Sequence, residues 1–376
     1  MRFDNNTDWK QYKLKQLSKI YDGTHQTPDY KNEGIKFVSV EDINDLYATS
    51  KFITNEAFTR DFKVAPKQND ILMTRIGDIG SPAIVIKDEP LAYYVSLALI
   101  KPLDNLNSLF AKYMIESINF QHELWKRTIH VAFPKKINKE EIGECLCFVP
   151  ELSVQQKIGS FLSLIDKRIE TQNKIIEDLK TLRKGIIDSL FASSEYEERL
   201  ATFLQERKTY SEKGEGFEHV TLSKEGICAK TERYDRDFLV TTEDKNYKIT
   251  KQNDICYNPA NLKFGVICLN TYGDAIFSPI YVTFEVKNID PYYLSLFLTS
   301  NRFIKKALRY QQGTVYERMA VNPEDFCKCK IPLNDNKTIQ QTTKLVSLID
   351  LKIKTEESII QKYKTQKDYL LANLFI

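Results

Sequence analysis

Lys67–Ile71 reads KQNDI, and Lys251–Ile255 reads KQNDI again, 184 residues further along the chain. The tetrapeptide SLID at Ser163–Asp166 returns at Ser347–Asp350 with the same offset, and Leu190-Phe191 returns as Leu374-Phe375. ECLCFVP, ending at Pro150, resembles FCKCKIP, ending at Pro332, an offset of 182. One shared pentapeptide would mean little. Several matches in one order along both halves of 376 residues indicate a duplicated structural unit, and a chain of this length has room for two cores.

Each copy has two parts with different periodicity. Residues 1–150 and 194–333 mix short β-rich runs such as SPAIVIK and SPIYVTFEV with Gly, Pro and Asn punctuation, and helical stretches fall near 108–126 and 291–309. This predicts an α+β globular domain in each copy. Residues 151–193 and 334–376 close the copies, and within them 153–191 and 338–375 contain no proline and are patterned as long helices. Ile158, Leu162, Ile165, Ile169, Ile176, Leu179, Ile186 and Leu190 step by four and three, with polar gaps at Gln172 and Arg183. The second helix gives Val346, Ile349, Ile353, Ile360, Tyr363, Leu370 and Leu374, with gaps at Glu356 and Lys367.

An antiparallel coiled coil can be written in which the gaps face each other, Arg183 on Glu356 and Gln172 on Lys367. Every other layer is then apolar. A slip of one heptad would set Gln172 or Arg183 against isoleucine, at about 1–3 kcal/mol for each unpaired polar group. The alternative is that each helix packs on its own domain and leaves the gaps exposed.

Hydrophobic residues make up 42% and charged residues 28%, and no run of about 18 apolar residues exists. MRFDNNTDWKQYKLK lacks the apolar stretch of a secretory signal, so a cytoplasmic protein with no membrane partner is expected. Seven cysteines without framework spacing read as reduced thiols. Net charge is only +3, and residues 1–150 carry 20 basic and 20 acidic side chains, so any nucleic-acid surface has to be local.

The order of WKQYKLKQLSKIYDG, KQNDILMTRIGDIG and VPELSVQQKIGSFLSLIDKRIE, followed by a degenerate second round, resembles the specificity subunit of type I restriction-modification enzymes over nearly the whole chain. The resemblance implies two pseudo-twofold-related target-recognition domains separated by the two helices. Each domain would read half of a split site in double-stranded DNA. It also implies docking to two modification (methyltransferase) subunits, which carry S-adenosylmethionine, and to restriction subunits, which use ATP and Mg. No cofactor is expected on this chain. FEHVTLSKE at Phe217 resembles WKQYKLKQL at Trp9 with an offset of 208, so the second domain is about 24 residues shorter before KQNDI, and different half-sites are expected.

Catalytic motifs are not legible. Asn258-Pro259-Ala260-Asn261 lacks the second proline and the aromatic of an amino-methylating motif, and Gly77-Asp78-Ile79-Gly80 is too short for a phosphate loop. The pairs Cys145/Cys147 and Cys327/Cys329 read as repeat equivalents in separate domains, so no zinc site is expected. Two other classes compete: a free-standing methyltransferase or nuclease with degenerate motifs, and a coiled-coil scaffold that ignores DNA.

Base readout needs donors and acceptors on rigidly placed loops, while basic side chains grip phosphates. Lys126–Lys139 holds five basic residues and no acid, which nominates Arg127, His130, Lys135 and Lys136. The corresponding stretch of the second copy nominates Gln311, Gln312, Thr314, Tyr316 and Arg318. The turn after KQNDI adds Thr74 and Arg75 in one copy and Asn258, Asn261 and Lys263 in the other. His25 and Gln26, in YDGTHQTPDY, complete the candidates.

Overall fold

KQND is a turn in both copies, and it launches the central strand of a sheet. Asn69 and Asn253 take left-handed backbone (φ 72° and 69°), which asparagine tolerates better than most residues. The aspartate that follows accepts from the backbone N–H three residues back, Lys67 N to Asp70 at 2.7 Å and Lys251 N to Asp254 at 2.8 Å. The buried carboxylate is then matched by a cation, Lys101 for Asp70 and Arg207, two-pronged at 2.8 and 2.9 Å, for Asp254. The motif therefore fixes the start of a strand.

The computed structural model describes residues 8–194, 196–212, 216–230, 246–312 and 319–375. The chain divides into a first unit, Met1–Ile175 with Glu356–Ile376, and a second unit, Ile176–Thr355.

In the first unit an antiparallel sheet has the order Ser18–Asp22, Leu97–Pro102, Ile71–Ile76, Asp78–Ile84. The second unit repeats that order with Leu204–Glu206, Val282–Val286, Ile255–Tyr257 and Ile267–Leu269. Both central strands are apolar on consecutive residues because both faces are covered. Ile71 and Met73 face a core with Phe110, Met114, Ile158 and Leu162, and Leu72 faces a second core with Val38 and Leu99. Ile255 and Tyr257 likewise join Phe297, Phe326 and Leu190, while Cys256 joins Val220 and Phe277. The units differ in their other sheet: three strands around Ile35–Val38 in the first, five around Ala275–Phe277 among the described residues of the second.

The long helices run Leu152–Ala192 and Asn336–Asn373. At roughly 1.5 Å per residue, 41 residues extend about 60 Å. The VQQKIG stretch docks the first of them. Gln155, buried, accepts from Asn107 N at 2.8 Å and donates to the carbonyls of Asn105 and Pro150. Gly159 lies so close to the helix Ser108–Glu116 that a Cβ there would stand 2.8 Å from Phe110 N.

In the first unit Ile158, Leu162 and Ile165 share a core with Leu371 and Phe375; in the second Ile187, Leu190 and Phe191 share one with Ile339 and Val346. In both units, then, the beginning of one long helix packs with the end of the other, which is the antiparallel sense. The heptad seam is buried along most of its length, although at the end of the second helix burial moves from Leu370 and Leu374 to Leu371 and Phe375.

The pairing of polar gaps is corrected. Arg183 holds Asp350, at 2.5 and 3.2 Å, and Lys367 holds Asp166 at 2.8 Å and Glu116 at 2.9 Å. Glu356 is buried and Gln172 half-buried, but neither is the partner that sequence spacing assigned. The two observed pairs are one pair used twice, since adding 184 turns Asp166 into Asp350 and Arg183 into Lys367. The reason is chemical. Each SLID aspartate already accepts a tyrosine hydroxyl, Tyr113 at 2.7 Å or Tyr292 at 2.6 Å, which holds its carboxylate in place, and for Lys367 it also offers the full charge that Gln172 lacks.

Candidate nucleic-acid interface

The two stretches nominated in each copy, the turn after the KQNDI strand and the loop after the helices, come together. In the first unit Ile137 N donates to Arg75 O at 3.0 Å and Gly77 N to Lys135 O at 2.8 Å. In the second unit Val321 N donates to Pro259 O at 3.2 Å. Ile137 with Arg75 and Val321 with Pro259 are the same bond at an offset of 184. The offset of 182 read from sequence for this region is thus corrected by two. The same holds for the cysteines: Leu14 N bonds Cys145 O and Leu200 N bonds Cys329 O, so Cys145 corresponds to Cys329 and the two Cys-x-Cys pairs are not equivalents. Burial pushes the Cys145 and Cys147 thiols up to about 12 and those of Cys327 and Cys329 to about 11, away from thiolate chemistry.

Several nominated side chains hold this locus together instead of facing outward. Thr74 is fully buried, its hydroxyl accepting from Ser81 N at 2.9 Å. Arg75, also buried, donates to Ile137 O at 3.1 Å and pairs with Asp22. Asn258 is buried and accepts from Ala260 N and Asn261 N at 3.1 and 3.2 Å, closing its own turn. All three side chains are buried, and the bonds they make brace the turn and its neighbours. Asn261 is half-buried. Arg127 is half-buried and its charge is met by Glu141 at 3.3 Å and Glu123 at 3.8 Å. Gln311 and Gln312 spend their amides on Met319 O at 3.0 Å and Asp325 at 2.8 Å. Thr314, Tyr316 and Arg318 lie outside the described residues.

What remains outward is His130, Lys135 and Lys136 on the first unit's loop, Lys263 on the second unit's turn, and His25 with Gln26. Lys135 and Lys136 have no carboxylate within ion-pair distance among the described residues. The Asp22–Arg75 pair ties the strand leading to His25 to the same end of the sheet.

Sequence reasoning missed the apolar members. The loop is closed at its base by Ile129 N to Lys136 O at 2.8 Å, and its tip carries Val131, 97% exposed, and Phe133, fully exposed. Trp125, largely exposed, packs against the His130 ring at 4.9 Å, above a cavity of about 550 Å³ lined also by Gly77, Asp78, Ile118 and Lys135. On the second unit's turn Phe264 is 61% exposed with Lys263 Nζ 4.9 Å from its ring centre. HVAFPK carries no periodicity, so the one available signal was two apolar residues inside a basic run. Among the described residues no cluster of His, Cys, Asp or Glu is arranged to hold a metal, and no helix is long and apolar enough to cross a membrane.

Two α+β bodies built on one repeat, each with a lysine-bearing turn-and-loop locus and each followed by a long helix, define a duplicated α+β protein with paired long helices. Residues 6–181 match the family described as the type I restriction modification DNA specificity domain. A curated relative, the putative type I restriction enzyme MjaX specificity subunit of Methanocaldococcus jannaschii, is 25% identical over 420 residues, covering 97% of this chain and 93% of its own. The fold is like that of the type I restriction-modification S subunit from M. genitalium, with a TM-score of 0.64 at 16% identity over 100% and 98% of the two chains. A chain from a structure of complex assembly and conformational transition in the type I R-M system matches at 0.53, with 10% identity and 96% of each chain covered. Residues 6–181 thus carry the signature of a type I restriction-modification DNA specificity domain, and the chain is similar to a specificity subunit over nearly its whole length.

Proposed function

We propose that this chain reads a split DNA sequence and carries out no chemistry itself, with residues 1–150 and 194–333 as target-recognition domains 1 and 2 and residues 151–193 and 334–376 as the spacer helices. It positions two adenine-methylating modification subunits on that site, and restriction subunits where the system has them. S-adenosylmethionine belongs to the former, and ATP with Mg to the latter. Work of this kind belongs in the cytoplasm, with the genome. The observation that carries the reading is the recurring bond between loop and turn, Ile137 to Arg75 and Val321 to Pro259, which sets one scaffold twice under unlike surface residues. A shared scaffold with different side chains suits two different half-sites, because phosphate contacts give register while base edges give sequence.

The test is co-expression with a candidate modification subunit and single-molecule mapping of methylated adenines. One motif in two halves, separated by a fixed number of unread base pairs, is expected. A continuous motif, or methylation by the purified chain alone, contradicts the proposal.

A further inference from the structure

Lone exposed apolar side chains are common on proteins, but their placement here is not scattered. Each unit has one locus where the post-helix loop bonds to the turn after the central strand. Each locus presents an outward phenylalanine beside a lysine: Phe133 next to Lys135 and Lys136, and Phe264 under Lys263. In the first unit the backbone bonds of Ile129, Gly77 and Ile137 clamp the loop below its tip, so Phe133 and Val131 are held out by a closed base. The flanking lysines fit an anionic partner, and the apolar tip fits something that can open to admit it.

Duplex DNA has both properties, since apolar side chains can enter between stacked base pairs at flexible steps while cations hold the phosphates on either side. We propose that Phe133, backed by Val131, and Phe264 are wedges that press into the duplex at each half-site, unstacking one base step and coupling sequence choice to deformability. This rests on the DNA-reading function proposed above and adds a mechanism of readout that hydrogen-bonding side chains at the locus would not supply.

The test uses the full chain assembled with its modification subunit, on duplexes carrying the methylation-mapped motif with 2-aminopurine at successive positions. For the unsubstituted complex, fluorescence rises at one step in each half-site. Phe133→Ala abolishes the rise in one half and leaves the other, Phe264→Ala does the reverse, and each weakens binding roughly tenfold. Phe133→Leu, which keeps an apolar tip, retains part of the signal. Since Phe133 is fully exposed, its removal takes nothing from the folded core.

Tight binding by the parent with no unstacked step, or variants that bind and fluoresce like the parent, overturns the wedge while leaving the DNA-reading function in place. Variants that lose the modification subunit instead of DNA would make the tips protein contacts, and the proposal would be wrong. No sequence-specific binding by the parent removes the function and the wedge together.

Discussion

Replacing Arg183 by methionine keeps most of the apolar stem and removes the guanidinium that grips Asp350 at 2.5 and 3.2 Å. Asp350 retains the Tyr292 hydroxyl at 2.6 Å but loses its opposite charge. Hydrogen bonds to charged groups contribute about 1.5–3 kcal/mol net, and exposed ion pairs only about 0.2–1. With side chains 33% and 30% exposed, this pair stands between those limits, so Arg183→Met is expected to cost about 1.5–2 kcal/mol. In a double-mutant cycle with Asp350→Asn, followed by urea unfolding, the coupling should be about 1 kcal/mol. The repeat supplies a control. Lys367→Met with Asp166→Asn should couple with the same sign but more weakly through Asp166, because Lys112 at 3.1 Å and Tyr113 at 2.7 Å still serve that carboxylate. If Arg183→Met costs the same whether residue 350 is Asp or Asn, the pair does not form and the reasoning about SLID fails.

Gly159→Leu forces a side chain into the space held by Phe110 N at 2.8 Å and Leu109 Cβ at 2.9 Å, and should destabilise by about 1–3 kcal/mol, read as a lowered melting temperature. Lys135→Ala combined with Lys136→Ala should weaken DNA binding about equally for all sequences and flatten the dependence of log K on log salt by about 0.9 for each phosphate no longer neutralised; an unchanged slope would take these lysines off the DNA. Burial works against the Asp166 carboxylate, but Lys367, Lys112 and Tyr113 outweigh it and hold its pKa below the usual 3.8. Its contribution is therefore complete above the unfolded value and lost as pH falls through the folded one. The stability difference between the parent and Asp166→Asn should shrink on acidification and vanish below both values; a difference that persists there would contradict the assignment.

The duplication, the α+β bodies and the helical seam could be read from sequence because each leaves a periodic or recurring trace. The partners of the polar gaps could not. A heptad pattern says which face of a helix is turned inward, but the aspartate of SLID sits beside the seam, and its value as a partner depends on Tyr113, Tyr292 and Lys112, which other elements supply. The interface was half legible for a related reason. Arg75 and Thr74, at the end of a strand, and Asn258, in the turn just past one, have the right chemistry for base edges, yet the same donors and acceptors serve equally well to bolt a turn to its neighbours, and only burial separates the two uses. Phe133 and Phe264 were overlooked because an apolar residue in a loop reads as buried until the loop is seen to carry it outward.

The account stands on two unlike readers within one chain, each responsible for its own bases. Exchanging residues 1–150 for the corresponding domain of a relative, then mapping methylated adenines in the co-expressing cell, tests that directly. One half of the split motif should change while the other half and the distance between them stay as they were; a motif altered in both halves, or in neither, would contradict it.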